Sequence, residues 1–305
     1  MTYGIGVVGL GIMGRRMIES FAANPDFSVV AGYDPAPVEA AVPRAGSVEA
    51  LLADPAVRGV YIASPPATHE ALVSAAARAG KAILCEKPLA ASVESARACL
   101  AAVERAGARA AVNFPFATAP AAVRLGELVA RGALGEELSA HLTVRFRTWP
   151  RGWQHGAAGW LAGPEQGGFT REVVSHVVLL ALRLFGPGRL VEREVERGPA
   201  GTETRIRATV RHAACRFTID GAVAGEIDDF NRFEVSGAKG SAVLSDWYRL
   251  RHGDEEIAPA RADAHQVAEF GKLIAGEPNR LATFAEAAAV VEIVEGILAG
   301  GPGPA

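Results

Sequence analysis

Residues 5–18 constrain this chain more than any other stretch. Ile5-Gly6-Val7-Val8-Gly9-Leu10 is an apolar run, Gly9-Leu10-Gly11-Ile12-Met13-Gly14 is a glycine-rich turn, and Arg15-Arg16-Met17-Ile18 opens a helix. Gly9 permits the tight turn, Gly11 lets the backbone approach a pyrophosphate, and Gly14 lets helix and strand pack closely. The N–H groups at the helix start, with the positive end of its dipole, then hold phosphates. Gly9, Gly11, Ile12, Met13 and Gly14 are therefore the expected cofactor-binding residues. Glycine-rich turns also occur in purely structural loops. Here the dinucleotide reading is favoured by a strand before the turn, a helix after it, and Asp34 closing a second strand, Phe27-Ser28-Val29-Val30-Ala31-Gly32-Tyr33. A carboxylate at that strand end accepts hydrogen bonds from ribose hydroxyls and repels a 2′-phosphate, which favours NAD. Arg15 and Arg16 leave NADP open, and an Asp before Pro35 also suits an Asx turn.

A chain of 305 residues is long for one compact domain, so two are expected. Half the residues are hydrophobic, enough for sizeable cores, and the formal net charge is −3. With no basic cluster or aromatic-basic stripe, nucleic acid is not an expected partner. Cys85, Cys99 and Cys215 are odd in number and widely spaced. They suit a reduced compartment and match no zinc spacing, so no metal site is expected. The N-terminus enters a strand without a basic n-region, and no apolar stretch is long enough to span a bilayer. The cytoplasm is the expected location, with no membrane partner.

Strand and helix signals alternate through the first third. Ser47 is a plausible N-cap for the helical run 47–52, Gly59–Ala63 is a short apolar strand, and a helix follows over about 67–79. Lys81–Cys85 reads as strand, Glu86-Lys87-Pro88 as turn, 92–106 as helix and Arg109–Phe114 as strand. Apolar strands without strict alternation indicate a parallel sheet buried on both faces. The pattern changes around Pro115 to Pro120. A helix over 121–131 precedes an alternating strand, 138–147, and 169–185 reads as one helix. Segments 191–197, 203–211, 215–220, 230–236 and 241–244 alternate apolar and charged residues, which favours an antiparallel sheet with one open face. Helices over 262–275 and 284–298 close the chain, and 300–305 reads as a frayed tail. The expected fold is α/β: a doubly wound Rossmann domain, 1–118, then an α+β domain with an open, mostly antiparallel sheet, 119–305. The last helix is free to pack back on the first domain.

Hydride chemistry also needs a proton carrier near the reacting oxygen. Lys87, in Cys85-Glu86-Lys87-Pro88-Leu89, lies at the carboxyl end of a parallel strand, where ligands bind in such sheets. A lysine partly removed from water has a lowered pKa and exchanges protons near neutrality. Pro88 fixes the turn and can be cis. The competing reading is a solvated surface lysine beside its ion-pair partner Glu86.

With these residues in hand, the chain resembles the glucose–fructose oxidoreductase, inositol dehydrogenase and rhizopine-catabolism family along nearly its whole length. Gly9–Gly14 matches the fingerprint, and Ala63-Ser64-Pro65-Pro66-Ala67-Thr68-His69 is similar to the family's Ala-Thr-Pro-Asn-x-x-His segment. Glu86-Lys87-Pro88 is its most telling tripeptide, and Asn113-Phe114-Pro115-Phe116 resembles its Asn-x-Arg-Phe. Gly167-Gly168 followed by Glu172-x-x-x-His176 sits where the family has Gly-Gly and then Asp-x-Gly-x-His, and Ser236–Ser241 resembles a late Gly-Thr-x-Gly turn. The resemblance implies that Ser64, Pro65, His69, Glu86, Lys87 and Asn113 join the fingerprint in holding the cofactor. It also implies that Lys87 and His176 flank the nicotinamide and the substrate carbon, with His176 as acid/base and Lys87 polarising the oxygen. On a helix, Glu172 and His176 share a face, so the carboxylate can orient the imidazole and favour its charged form. A satisfied histidine at a helix–sheet contact is the alternative for His176 alone. The family further implies a second-domain sheet that packs on another subunit, hence a homodimer or homotetramer.

Three departures bear on the substrate. Glu172 replaces the usual Asp, and Val174 and Pro115 stand where the family often has Gly and Arg. Losing that Arg removes a donor for a polyol or carboxylate, so a substrate less polar than a typical sugar is expected, and Pro66 in place of Asn removes a donor near the cofactor. Trp149-Pro150-Arg151-Gly152-Trp153-Gln154-His155 and Trp160 read as a long loop. Trp153 there can stack on a substrate ring, with Arg151 or His155 adding a polar contact, or it can anchor a subunit interface. Arg171 is a further expected substrate contact. The leading expectation is an NAD(P)-dependent oxidoreductase acting on a secondary alcohol or ketone of a sugar, cyclitol or related small molecule. The alternative is a non-catalytic dinucleotide-sensing protein on the same scaffold.

Overall fold

The computed structural model describes residues 2–224 and 226–301; the last four residues of the expected frayed tail lie outside them. In chain order the elements are β1 (Tyr3–Val8), α1 (Ile12–Ala22), β2 (Phe27–Tyr33), α2 (Val48–Ala53), β3 (Gly59–Ile62), α3 (His69–Arg78), β4 (Ala82–Glu86), α4 (Val93–Ala106) and β5 (Ala110–Asn113). Next come α5 (Pro120–Ala130), β6 (Leu138–Phe146), α6 (Ala158–Leu161) and α7 (Ser175–Phe185). The strands β7 (Arg189–Arg197), β8 (Glu203–Arg211), β9 (Cys215–Val223), β10 (Phe230–Gly237), β11 (Gly240–Ser245), β12 (Arg249–His252) and β13 (Glu255–Ile257) follow. The last two elements are α8 (Asp263–Ala275) and α9 (Phe284–Leu298).

The chain divides into two compact units, Met1–Pro115 with Asp263–Val291 and Phe116–Ala262 with Glu292–Ala305. The boundary expected at 118/119 left the last helix free to pack back, and here α8 and the first half of α9 belong to the first unit. The reason is packing: Val267, Phe270 and Ile274 of α8 share a core with Ile5, Phe21, Phe27 and Tyr61. Phe27 and Phe270 stack with ring centroids 6.5 Å apart. An apolar helix stripe does not record locally which core it serves.

In the first unit the sheet order is β2-β1-β3-β4-β5 with every pair parallel. The order reverses between β1 and β3, and the crevice beyond the carboxyl ends of such a pair is where ligands bind in open α/β sheets. β3 and β4 are buried throughout, as the apolar runs Gly59–Ile62 and Ala82–Cys85 require, and Glu86 at the end of β4 is buried with them. Ser47 and Ser92 cap α2 and α4, their Oγ atoms accepting from Ala50 N and Ser95 N at 3.1 Å each.

The second unit holds an eight-stranded sheet ordered β13-β12-β11-β10-β6-β9-β8-β7. Only β6–β9 is parallel; the other pairs are antiparallel. Ala140, Leu142, Val144 and Phe146 of β6 are buried, while the residues between them lie on the opposite face. Two strands, β12 and β13, were absent from the sequence reading; at four and three residues they are too short to show a period. The single helix expected over 169–185 is present as one unbroken helical run that contains a π segment. Thr170–Val174 is the π turn, and regular α-helix resumes at Ser175. Gly300 and Gly301 are not loose either: Gly300 N–H donates to Ile297 O at 3.0 Å, and Gly301 O accepts from Val195 N at 2.9 Å.

Candidate functional site

The fingerprint turn follows β1 directly, and its glycines differ in what surrounds them. Gly9 has φ +93°, and a Cβ there would lie 2.6 Å from Ser64 N, at the end of β3. A Cβ on Gly14 would collide with the Gly9 carbonyl oxygen. Beside Gly11 a Cβ would meet nothing within 4 Å, so the turn is open on that side. Gly11 caps α1 without any side chain, leaving the first N–H groups, including those of Ile12 and Met13, to whatever occupies that open side. A pyrophosphate fits these conditions.

Asp34 does two things at once. Its Oδ2 accepts from Leu10 N at 2.8 Å, tying the end of β2 to the fingerprint, and its Oδ1 accepts from Ala36 N at 2.9 Å in an Asx turn. Arg44 donates to the carbonyls of Asp34, Ala36 and Val38, holding that loop. Arg16 is engaged in a two-bond pair with Asp263 at 2.9 and 3.0 Å, whereas Arg15 lines an open groove with Arg44, Glu19 and Glu39.

Lys87 is half-buried just beyond β4. Its neighbour Glu86 is 6% exposed and serves as a clamp. Tyr61 Oη and Asn113 Nδ2 (2.7 Å) both donate to Glu86 Oε1, while Lys87 N donates to Oε2 at 3.1 Å. Burial and the adjacent Glu86 carboxylate push the Tyr61 hydroxyl well above its usual range, so it remains a donor. His69 is fully buried: Nε2 faces Ser64 O at 2.8 Å, and Nδ1 faces Pro88 O and Leu89 O at 3.1 and 3.2 Å. Burial lowers its pKa against the opposing pull of those carbonyls. His69 thereby sits between the loop after β3, with Ser64 and Pro65, and the turn carrying Lys87, its one ring N–H donating to a carbonyl on one side. The Lys87–Pro88 bond is cis.

In the second unit, His176 is 8% exposed and packs edge-on against two rings, Phe116 at 5.9 Å and Trp247 at 5.8 Å. Glu172 lies in the π turn, where Gln154 Nε2 donates to its Oε1 at 3.2 Å and Arg151 approaches to 3.8 Å. Gln154 Oε1 in turn accepts from Arg151 N and Nε at 3.2 and 3.1 Å. Trp153 is 55% exposed with the Arg151 guanidinium 4.9 Å from its ring centroid.

Arg171, expected to contact substrate, is engaged by the chain itself. Its guanidinium grips Glu295 through Nε and NH2 at 2.6 and 2.8 Å and the Pro164 and Gly167 carbonyls through NH1, inside the unit and 7% exposed. That environment makes Arg171 a clamp within the unit. Sequence reasoning missed Tyr61, Asp229, Asn231, Glu203 and Trp247, because each acts through a partner distant in the chain. Only Trp247 left a local signal, a bulky residue in a short turn between strands.

A Rossmann unit with an open phosphate turn, followed by a mostly antiparallel sheet unit with a buried histidine, defines a class of two-part nicotinamide-dependent oxidoreductases. The chain belongs to the GFO/IDH/MocA family. Residues 3–114 match the family model described as the oxidoreductase family, NAD-binding Rossmann fold, and residues 122–243 match the GFO/IDH/MocA C-terminal domain. Inositol 2-dehydrogenase of Rhizobium meliloti is 33% identical over 151 residues, covering 48% of this chain and 46% of that protein. D-xylose 1-dehydrogenase (NADP(+)) 2 of Haloferax volcanii is 32% identical over 222 residues, covering 70% and 66%. The chain thus spans about half the length of the inositol dehydrogenases it matches. GenD2 from gentamicin A biosynthesis, solved in complex with NAD, superposes with a TM-score of 0.80 at 26% identity, covering 96% of this chain and 92% of that one. No helix among the described residues is long and apolar enough to cross a membrane.

Proposed function

We propose that this chain transfers a hydride between NAD and a secondary alcohol or ketone of a sugar, cyclitol or related small molecule. The observation that carries the reading is the Glu86 clamp, which holds Lys87 at the carboxyl end of a parallel strand in the unit bearing the fingerprint. Bound nicotinamide supplies the hydride acceptor or donor. Gly9, Gly11, Ile12, Met13 and Gly14 hold the pyrophosphate, and the remaining lone pairs of Asp34 accept from the ribose, which favours NAD over NADP. Glu86, Asn113 and His69 position Lys87 and the Ser64-Pro65 loop. The Lys87 ammonium donates to the reacting oxygen, and His176 takes the hydroxyl proton in oxidation and returns it in reduction. Glu172 orients His176.

The names of the relatives, inositol and xylose dehydrogenases, support a polyol or sugar and favour the enzyme over the sensing protein. The buried thiols Cys85, Cys99 and Cys215 support a reduced, cytoplasmic setting. The sheet face bearing His141, Thr218 and Asp220 is the proposed surface for a homodimer or homotetramer, checked by sedimentation.

The test is energy transfer from tryptophan to NADH during titration with NADH and NADPH, followed by turnover of candidate polyols and sugars. Lys87→Met is expected to bind NADH within about threefold of wild type and to lose turnover by about a hundredfold or more. Turnover retained within a few-fold would reject Lys87 as the donor to the reacting oxygen.

A further inference from the structure

Asp246, Trp247 and Tyr248 connect β11 to β12, whose flanking residues Ser245 and Arg249 are paired. Asp246 has φ +48° and Trp247 φ +64°. The left-handed region crowds Cβ against the backbone, and turns that need it ordinarily carry Gly or Asn. A tryptophan there is held against its own preference.

The hold is visible at both ends of the residue. Trp247 N donates to Asn231 Oδ1 at 2.7 Å, and its indole Nε1 donates to Asp229 Oδ2 at 3.0 Å. The same Oδ2 accepts from Arg151 NH1 at 2.8 Å, and Arg151 is only 5% exposed. Arg151 also lies 5.6 Å from the Trp247 ring centroid. The indole is therefore fixed in rotation as well as in place. Its ring meets the His176 imidazole edge-on at 5.8 Å and 84°, and it remains partly exposed. Strained backbone survives only where its surroundings over-determine it, and it gathers where a side chain must be presented for function.

We propose that Trp247 is the specificity-determining wall beside His176, a fixed aromatic surface that selects ring-shaped polyols and sugars. The C–H face of a cyclic polyol packs on an indole while its hydroxyls stay hydrogen-bonded, and a ring locked beforehand loses little entropy on contact. Asp229 and Arg151 act as the lock. This assignment rests on the dehydrogenase reading above. A purely structural indole is the competing account, since Trp247 also covers a small cavity with Phe116, Val173 and Val177.

The variant Trp247→Gly separates the two accounts, because glycine is at ease at this φ. Wild type, Trp247→Gly and Asp229→Asn are compared with NAD and either myo-inositol or D-xylose, alongside NADH affinity and melting temperature. The expected result is that Trp247→Gly raises KM for the ring substrate about tenfold or more while kcat stays within about threefold. NADH affinity is unchanged. Asp229→Asn, which keeps the indole but weakens its anchor, lowers the melting temperature because the buried Arg151 loses a paired carboxylate; it raises KM by a smaller factor with NADH affinity unchanged, and carries the test if the glycine variant does not fold. Unchanged KM in a folded variant overturns the proposal, as does a fall in kcat with constant KM. Wild type that binds NADH but oxidises neither substrate overturns the sugar and cyclitol reading itself, and the wall with it.

Discussion

Glu203 Oε1 accepts the Thr170 N–H at 2.8 Å, so a carboxylate 2% exposed holds the first residue of the π turn that leads to Glu172 and His176. Gly168, at φ +95°, lies against this carboxylate, and any Cβ there would strike it. The Gly-Gly pair in the sequence therefore marks the approach of a buried acid to a helix start.

Burial raises the pKa of Glu203 above its ordinary 4.5, outweighing the Thr170 hydrogen bond. The native state then keeps its proton to higher pH than the unfolded chain does, so stability falls as pH rises from about 4.5 through the raised value. Glu203→Gln retains an acceptor and cannot ionise. Urea unfolding is expected to find the variant at least as stable as wild type at pH 7.5, with its lead shrinking toward pH 4.5. A lead independent of pH would contradict this account.

Gly11 and Gly14 are expected to separate binding from folding. Gly11→Ala adds a methyl into open space, so stability should stay within about 1 kcal/mol of wild type. NADH affinity should fall about tenfold, because the methyl occupies the side a pyrophosphate needs. Gly14→Ala drives Cβ into the Gly9 carbonyl and should weaken both. Melting curves and NADH titrations of the two variants distinguish these outcomes.

Arg171→Met leaves Glu295 without its two-bond partner in a site where the side chains are 8% and 20% exposed. A loss of about 3 kcal/mol is expected, since an uncompensated, largely buried charge remains. The double variant Arg171→Met with Glu295→Met should recover most of that loss in the same denaturant titration. If Arg171 instead contacts substrate, the single variant will raise KM while its unfolding midpoint stays put.

Much of the architecture was legible because its signals are local. The Gly9–Gly14 turn, the capping Ser47 and Ser92, and the buried runs of β3 and β4 each follow from a few adjacent residues and a short-range backbone rule. What escaped was non-local. The split of α9 between the two units depends on which core each half joins, and the π turn at 170–174 is bonded to Glu203 some thirty residues away. The pairing of Arg171 with Glu295 left no local sign, because its partner lies 124 residues further along.

The family and its class of chemistry were readable from short runs of residues: a phosphate turn, an acidic strand end, and motifs in the order of one family. Which polar groups are positioned, and by what, came only with the folded arrangement. Glu86 became a clamp once Tyr61 and Asn113 converged on it, and Trp247 became a fixed wall once Asp229 and Arg151 met its indole nitrogen. Local patterns encode backbone conformation. Where a side chain is held depends on contacts that only the folded chain brings within hydrogen-bonding distance.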